Sequence, residues 1–139
     1  MSYMSEIIIR KGIHQGIPYN EYFNKNEELL GLVFIQHGFE SNKNRGADYL
    51  GINLARLGFH AVAIDAYKHG ERKEEPYLTG TPGEKFKDAF NVINQTANDI
   101  IHLYEAKFTF NYANFDLIGV SMGGMIAYNT LLKTDKIRN

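Results

Sequence analysis

Gly119-Val120-Ser121-Met122-Gly123 reads G-x-S-x-G, with an apolar run before it and a helical pattern after it. A serine at a tight strand-to-helix turn is forced into a strained backbone conformation that pushes its hydroxyl outward, where it can attack an electrophile. The residues two before and two after it must lack bulk, because the helix passes close to the strand. Gly119 and Gly123 meet that demand. The same turn aims the free N–H groups and positive dipole end of the new helix at the reacting atom. An oxyanion forming there would be met by the backbone N–H of Met122. The chemistry that fits is acyl transfer to Ser121 through a tetrahedral intermediate; the alternative is a glycine-rich connection with an idle serine.

A second donor to that oxyanion must come from another loop on the same crevice. Gln36-His37-Gly38-Phe39 follows an apolar run directly, and Gly38 lets the backbone turn inward. The Phe39 N–H is therefore the candidate. His37 invites a catalytic reading, but a histidine beside a glycine at a strand end more often braces its loop by hydrogen bonding.

These loops need a scaffold. Residues 6–11 are short and β-branched, which predicts a strand; 12–16 read as a turn, and 17–23 as an antiparallel partner strand. Residues 29–36 form a nearly continuous apolar run, the pattern of a strand covered on both faces. Ala47, Leu50, Leu54 and Leu57 then fall on one helical stripe, with Gly58 where a C-terminal cap belongs. Residues 59–64 predict a further strand, and 66–83 a long irregular connection. Phe86, Phe90, Ile93, Ala97, Ile100 and Tyr104 mark a helix beginning near Glu84. A third core strand over 115–120 and a helix over 122–133 complete the chain. This alternation predicts an α/β fold, a three-layer α/β/α sandwich whose mostly parallel sheet carries an N-terminal antiparallel hairpin. Ligands of such sheets bind at the carboxyl ends of the strands, which gathers residues 36–40, 65–72 and 119–124 around one crevice.

The 139 residues are expected to make a single domain, 1–139. With 15 basic and 16 acidic residues the net charge is -1, which disfavours nucleic acid as a partner. The absence of cysteine excludes disulfides, thiolate metal sites and a cysteine nucleophile. No convincing metal-ligand spacing occurs, and no G-K-[ST] or G-x-G-x-x-G supports a nucleotide site. Neither a signal-peptide start nor a run long enough to span a bilayer is visible, so no membrane partner and a cytoplasmic location are expected.

Three ordered segments, 34–43, 64–72 and 119–125, together resemble the N-terminal half of an α/β-hydrolase, up to the helix after the elbow. Within that superfamily the chain is similar to the small bacterial esterases of the dienelactone-hydrolase and prolyl-oligopeptidase-like branch. The resemblance covers about residues 6–133. It implies Ser121 as nucleophile, the Met122 and Phe39 amides as oxyanion hole, and cleavage of small carboxylic esters without a cofactor. It also implies that Asp65, His69 and Gly70, which match an Asp-x-x-x-His-Gly segment, shape the crevice wall beside His37 and Gly38.

The departure from that pattern is equally informative. In this fold the triad acid and histidine follow the serine along the chain. Beyond Ser121 there is no histidine and a single acid, Asp135, expected at the end of the elbow helix and turned away. His14, His37, His60, His69 and His102 all lie upstream. His14, His60 and His102 fit hairpin, strand and helix surface positions, and a base rewired from His69 is conceivable. The expectation is half a site: an esterase scaffold short of its base, or a non-catalytic binding protein on the same scaffold. The strand over 115–120 would then be an open edge with Leu117, Ile118 and Val120 uncovered, favouring self-association or a complementing C-terminal half.

Overall fold

The computed structural model describes residues 6–139. β1 (Ile7–His14) and β2 (Ile17–Asn24) pair antiparallel along their whole length, from Ile7 opposite Asn24 to His14 opposite Ile17. Their connection is only Gln15-Gly16, both at positive φ, the backbone that matches the twist of a two-residue hairpin. The turn is thus tighter than the expected 12–16. Gly12 sits inside β1, opposite Tyr19, whose ring would lie 2.4 Å from any β-carbon placed there. The glycine makes room for a cross-strand ring and is not part of a turn.

β3 (Leu32–Gln36), β4 (His60–Ile64) and β5 (Asp116–Gly119) complete a five-stranded sheet in the order β1-β2-β4-β3-β5. β4 pairs antiparallel with β2 and parallel with β3, which in turn pairs parallel with β5. β3 starts later than the apolar run, because the Leu30 N–H is taken by the Gly58 carbonyl and the Leu30 side chain is exposed. Gln36 is in register with both Ile64 and Gly119. The three loops that leave these strands therefore emerge at one end of the sheet.

Both faces of the sheet are covered. α1 (Ala47–Arg56) lies over Ile35, Ala61 and Ala63, whereas α2 (Pro82–Lys107) and α3 (Met122–Leu131) cover Phe34, Val62 and Ile64. α1 buries Ala47, Gly51 and Ala55, with Leu50 and Leu54 half-buried and Leu57 exposed. The small stripe wins because the Tyr22 ring packs against Gly51, within 2.5 Å of where a β-carbon would stand. Gly58 ends the helix at φ 97°, and the Gly58 and Phe59 N–H groups close a Schellman motif on Ala55 and Leu54.

α2 begins at Pro82, two residues before the expected start, with Thr81 and Glu84 forming a reciprocal capping box. Phe86 and Phe90 do not reach the core; they are exposed and pack on each other at 4.7 Å between ring centroids. Burial begins at Val92 and continues through Tyr104.

β5 is the last complete strand of the sheet, as the alternation implies. Its outer side is less bare than expected. Phe115 pairs with Ile137, the Phe115 and Leu117 N–H groups donate to Lys136 and Asn139, and Arg138 forms a double hydrogen bond to Asp116. Leu117 and Ile118 are half-buried, leaving Val120 exposed. Among the described residues no helix is long and apolar enough to cross a membrane.

Candidate active site

Ser121 is the hinge between β5 and α3, with φ 57° and ψ −118°. A non-glycine residue held there costs on the order of 1–3 kcal/mol and persists only where its surroundings leave no choice. Two glycines remove the choice. A β-carbon on Gly119 would fall 2.2 Å from the Gly123 carbonyl oxygen, and one on Gly123 would fall 2.1 Å from that of Gln36. The first turn of α3 is thus pressed onto the ends of β5 and β3, and the chain can bend only at Ser121. The side chain is turned out into solvent.

The amides of that turn divide into two groups. Gly123 and Gly124 donate to Val120 and Ser121. Among the described residues the Met122 N–H, first in the helix, has no such partner and is one of the orphan donors every helix start presents. Gly38 faces the serine across the crevice: a β-carbon there would stand 3.2 Å from Ser121 Cβ and 3.7 Å from its Oγ. The Val120 N–H donates to Gln36 O at 3.1 Å, tying the elbow to the end of β3.

His37 is buried and joins two loops. Its Nε2 accepts the Ala66 N–H at 3.0 Å, so the ring proton is on Nδ1, which donates to Gly38 O at 2.7 Å. Burial holds this imidazole below the usual histidine range, with the Gly38 carbonyl pulling the other way. Both nitrogens are engaged, and neither is hydrogen-bonded to Ser121. Phe39 follows with an exposed ring, 5.8 Å between centroids from His69, and its N–H donates to no acceptor among the described residues.

Asp65, at the end of β4, is fully buried. Its carboxylate accepts the Lys43 N–H at 2.9 Å, Lys43 Nζ at 3.1 Å and the Glu71 N–H at 3.0 Å. Gly70, at φ 57°, lies directly over it, with no space for a side chain above the carboxylate. Burial pulls the Lys43 ammonium down, but the Glu71 and Asp65 carboxylates outweigh it and hold the group above the ordinary lysine value. This ion pair clamps the loop after β3 to the loop after β4. Lys43 is the residue that sequence reasoning missed, since a lysine between asparagines looks solvated; the buried acid 22 residues on was the only available clue.

None of the five histidines is hydrogen-bonded to Ser121 among the described residues. His69 is buried, with Nδ1 on the Tyr67 carbonyl at 2.9 Å. His102 bonds Gln15 and packs on His14. His60 is not a surface residue: it is buried at the opposite end of the sheet, where Nε2 meets Glu21 and Nδ1 meets Tyr112, each at 3.0 Å. Asp135 is exposed just beyond α3.

Residues 27–138 match the family described as serine aminopeptidase, S33. The chain belongs to that family. The S33 match takes in β3 through the residues paired outside β5, and so includes Ser121, Phe39 and Asp65. The chain is 30% identical over 125 residues to "Putative esterase YitV" of Bacillus subtilis (strain 168), an alignment covering 88% of this chain and 48% of the relative. It spans about half the length of that curated relative. Among solved structures it is similar to a "Putative Dienelactone Hydrolase" from Klebsiella pneumoniae (TM-score 0.71, 20% identity, 95% of this chain and 57% of that one). It is also similar to TT1662 from Thermus thermophilus (TM-score 0.68, 21% identity, 92% and 52%). At those identities the likeness concerns the fold, the N-terminal part of an α/β-hydrolase.

Proposed function

We propose that this S33 chain carries the nucleophile half of a carboxylesterase-like serine hydrolase acting on small acyl esters. Ser121 Oγ attacks the ester carbonyl, and the Met122 and Phe39 amides receive the oxyanion. The alcohol leaves, and water then releases the acyl group from Ser121. The observation that carries this reading is the strained Ser121 backbone, held by two glycines that admit no side chain. Such strain at an exposed serine on a helix N-terminus has a use in acyl transfer and none in packing. The Asp65–Lys43 clamp and the His37 bridge support it, because both hold the loop that brings Gly38 against the serine.

The base is then supplied from outside the described residues, because none of the histidines here is hydrogen-bonded to Ser121. A complementing C-terminal half, seated beside α3, would supply it. A fluorophosphonate probe tests the reading: labelling at Ser121 that disappears in Ser121→Ala is the expected outcome. Absence of labelling together with absence of p-nitrophenyl acetate turnover, with a complementing half present, overturns it. The second reading, a binding protein on this scaffold, is favoured by the lack of any histidine hydrogen bond to Ser121 among the described residues. Ligand binding that is unchanged in Ser121→Ala, without hydrolysis, would select it.

A further inference from the structure

Beyond the Gly38–Phe39 turn lies a cavity of about 610 Å3, walled by the loop after β4 and by the strap that leads into α2. Two side chains on its wall have polar atoms that are buried and without a partner among the described residues: His69 Nε2 and Tyr77 OH. His69 is 3% exposed. The two rings meet edge to face, 5.6 Å between centroids. Unsatisfied buried groups of this kind each cost about 1–3 kcal/mol, and finding two on one wall calls for an explanation.

Their hydrogen-bonding senses are opposite. The Tyr67 carbonyl can only accept, so His69 Nδ1 holds the ring proton and Nε2 presents a bare lone pair. The Tyr77 hydroxyl is pushed up to about 12 by burial, with Asp88 and Glu40 adding to it, so it stays a donor at neutral pH. One acceptor beside one donor complements a hydroxyl group, which gives its proton to the first and takes one from the second. The charged groups on the wall, Lys68 and Lys73 against Glu40 and Glu75, balance in sign, which favours a neutral group over an anion.

We propose that His69 and Tyr77 form a subsite for a hydroxyl group carried by the substrate, so that the chain selects hydroxyl-bearing esters. The inference rests on the esterase reading for the word ester, but the subsite itself does not depend on Ser121. Both atoms are shut off from the cavity in this structure, so the subsite requires the half-buried Tyr77 side chain to shift before a hydroxyl reaches them. On the strap bearing it, the Leu78 N–H donates to Asp88 of α2.

The test uses the Ser121→Ala chain, so that hydrolysis plays no part, with the His69 ring followed by NMR. The probes are methyl lactate and methyl isobutyrate, which differ by a hydroxyl in place of a methyl. A saturable His69 shift with lactate, about tenfold weaker with isobutyrate, is expected for loss of a hydrogen-bonded hydroxyl. Tyr77→Phe, which keeps the ring and its packing, should erase most of that preference. Equal binding of the two esters overturns the proposal, as does a preference that survives Tyr77→Phe. Failure of Ser121 labelling would remove the esterase reading and leave this result standing.

Discussion

The α-carbon of Gly123 is packed against the Gln36 carbonyl so closely that a methyl group on it would lie 2.1 Å from the oxygen. One residue type at the start of α3 thereby fixes the distance between a helix and the end of β3, and with it the bend at Ser121. Gly123→Ala is expected to lower stability by about 1–3 kcal/mol or more, the range for overpacking a rigid site. A fall in the urea midpoint measures it. An unchanged midpoint would mean that α3 can slide outward, and that the bend is not imposed from there.

Ser121 itself should behave in the opposite sense. Ser121→Gly removes the steric conflict at φ 57° and is expected to stabilise the fold by about 1 kcal/mol. Ser121→Ala keeps the β-carbon and so keeps the conflict. The difference between the two variants in denaturant unfolding isolates backbone strain from loss of the hydroxyl. If they unfold alike, the turn stores none.

His37 gives the fold a pH dependence with a definite sign. Its native value lies below the free value of 6.5, so beneath that pH the unfolded chain binds a proton that the native chain refuses. Stability is therefore fully present above about pH 6.5 and falls as the pH drops toward the native value, by at most about 1.4 kcal/mol per pH unit for one proton. His37→Gln, which can still accept the Ala66 N–H, should flatten this part of the profile. Chemical denaturation between pH 7.5 and 5.5 compares the two; parallel profiles would show that His37 does not contribute.

Removing one member of the buried Asp65–Lys43 pair leaves the other without its counter-charge. Lys43→Met is expected to cost about 3–5 kcal/mol. Adding Asp65→Asn to it should recover part of the loss, since no buried charge is then stranded. A double-mutant cycle measures the coupling, and strictly additive effects would refute it.

Elements set by nearby residues were legible in the sequence. The elbow glycines, the Gly58 cap and the three strand ends around the crevice all follow from short patterns, because each is decided by backbone geometry within a few positions. What escaped was decided by a distant partner. Gly12 reads as a turn until Tyr19 is placed opposite it, and His60 reads as a surface residue until Glu21 arrives from β2. The buried stripe of α1 is shifted by one position, from Leu50 and Leu54 to Gly51 and Ala55, by the Tyr22 ring, which periodicity within the helix cannot foresee. Phe86 and Phe90 keep the helical period of α2 yet stand beyond the edge of the core, because period reports a face and not what lies against it.

The outer side of α3 leads to the last expectation. Met125, Tyr128, Leu131 and Leu132 follow one helical stripe, and all are more than half exposed. Between this stripe and the residues paired to β5 runs an apolar groove of about 500 Å3, lined by Leu117, Ala127 and Ile137 among others. A contiguous apolar patch of this kind on a free surface draws a partner. The chain is expected to sediment as a dimer or larger species at micromolar concentration, with Tyr128→Lys plus Leu131→Glu shifting it toward monomer. Because both substituted side chains point into solvent, the variant should keep its unfolding midpoint, which separates lost association from lost folding. A parent chain that sediments as a well-behaved monomer would remove the case for self-association through this face.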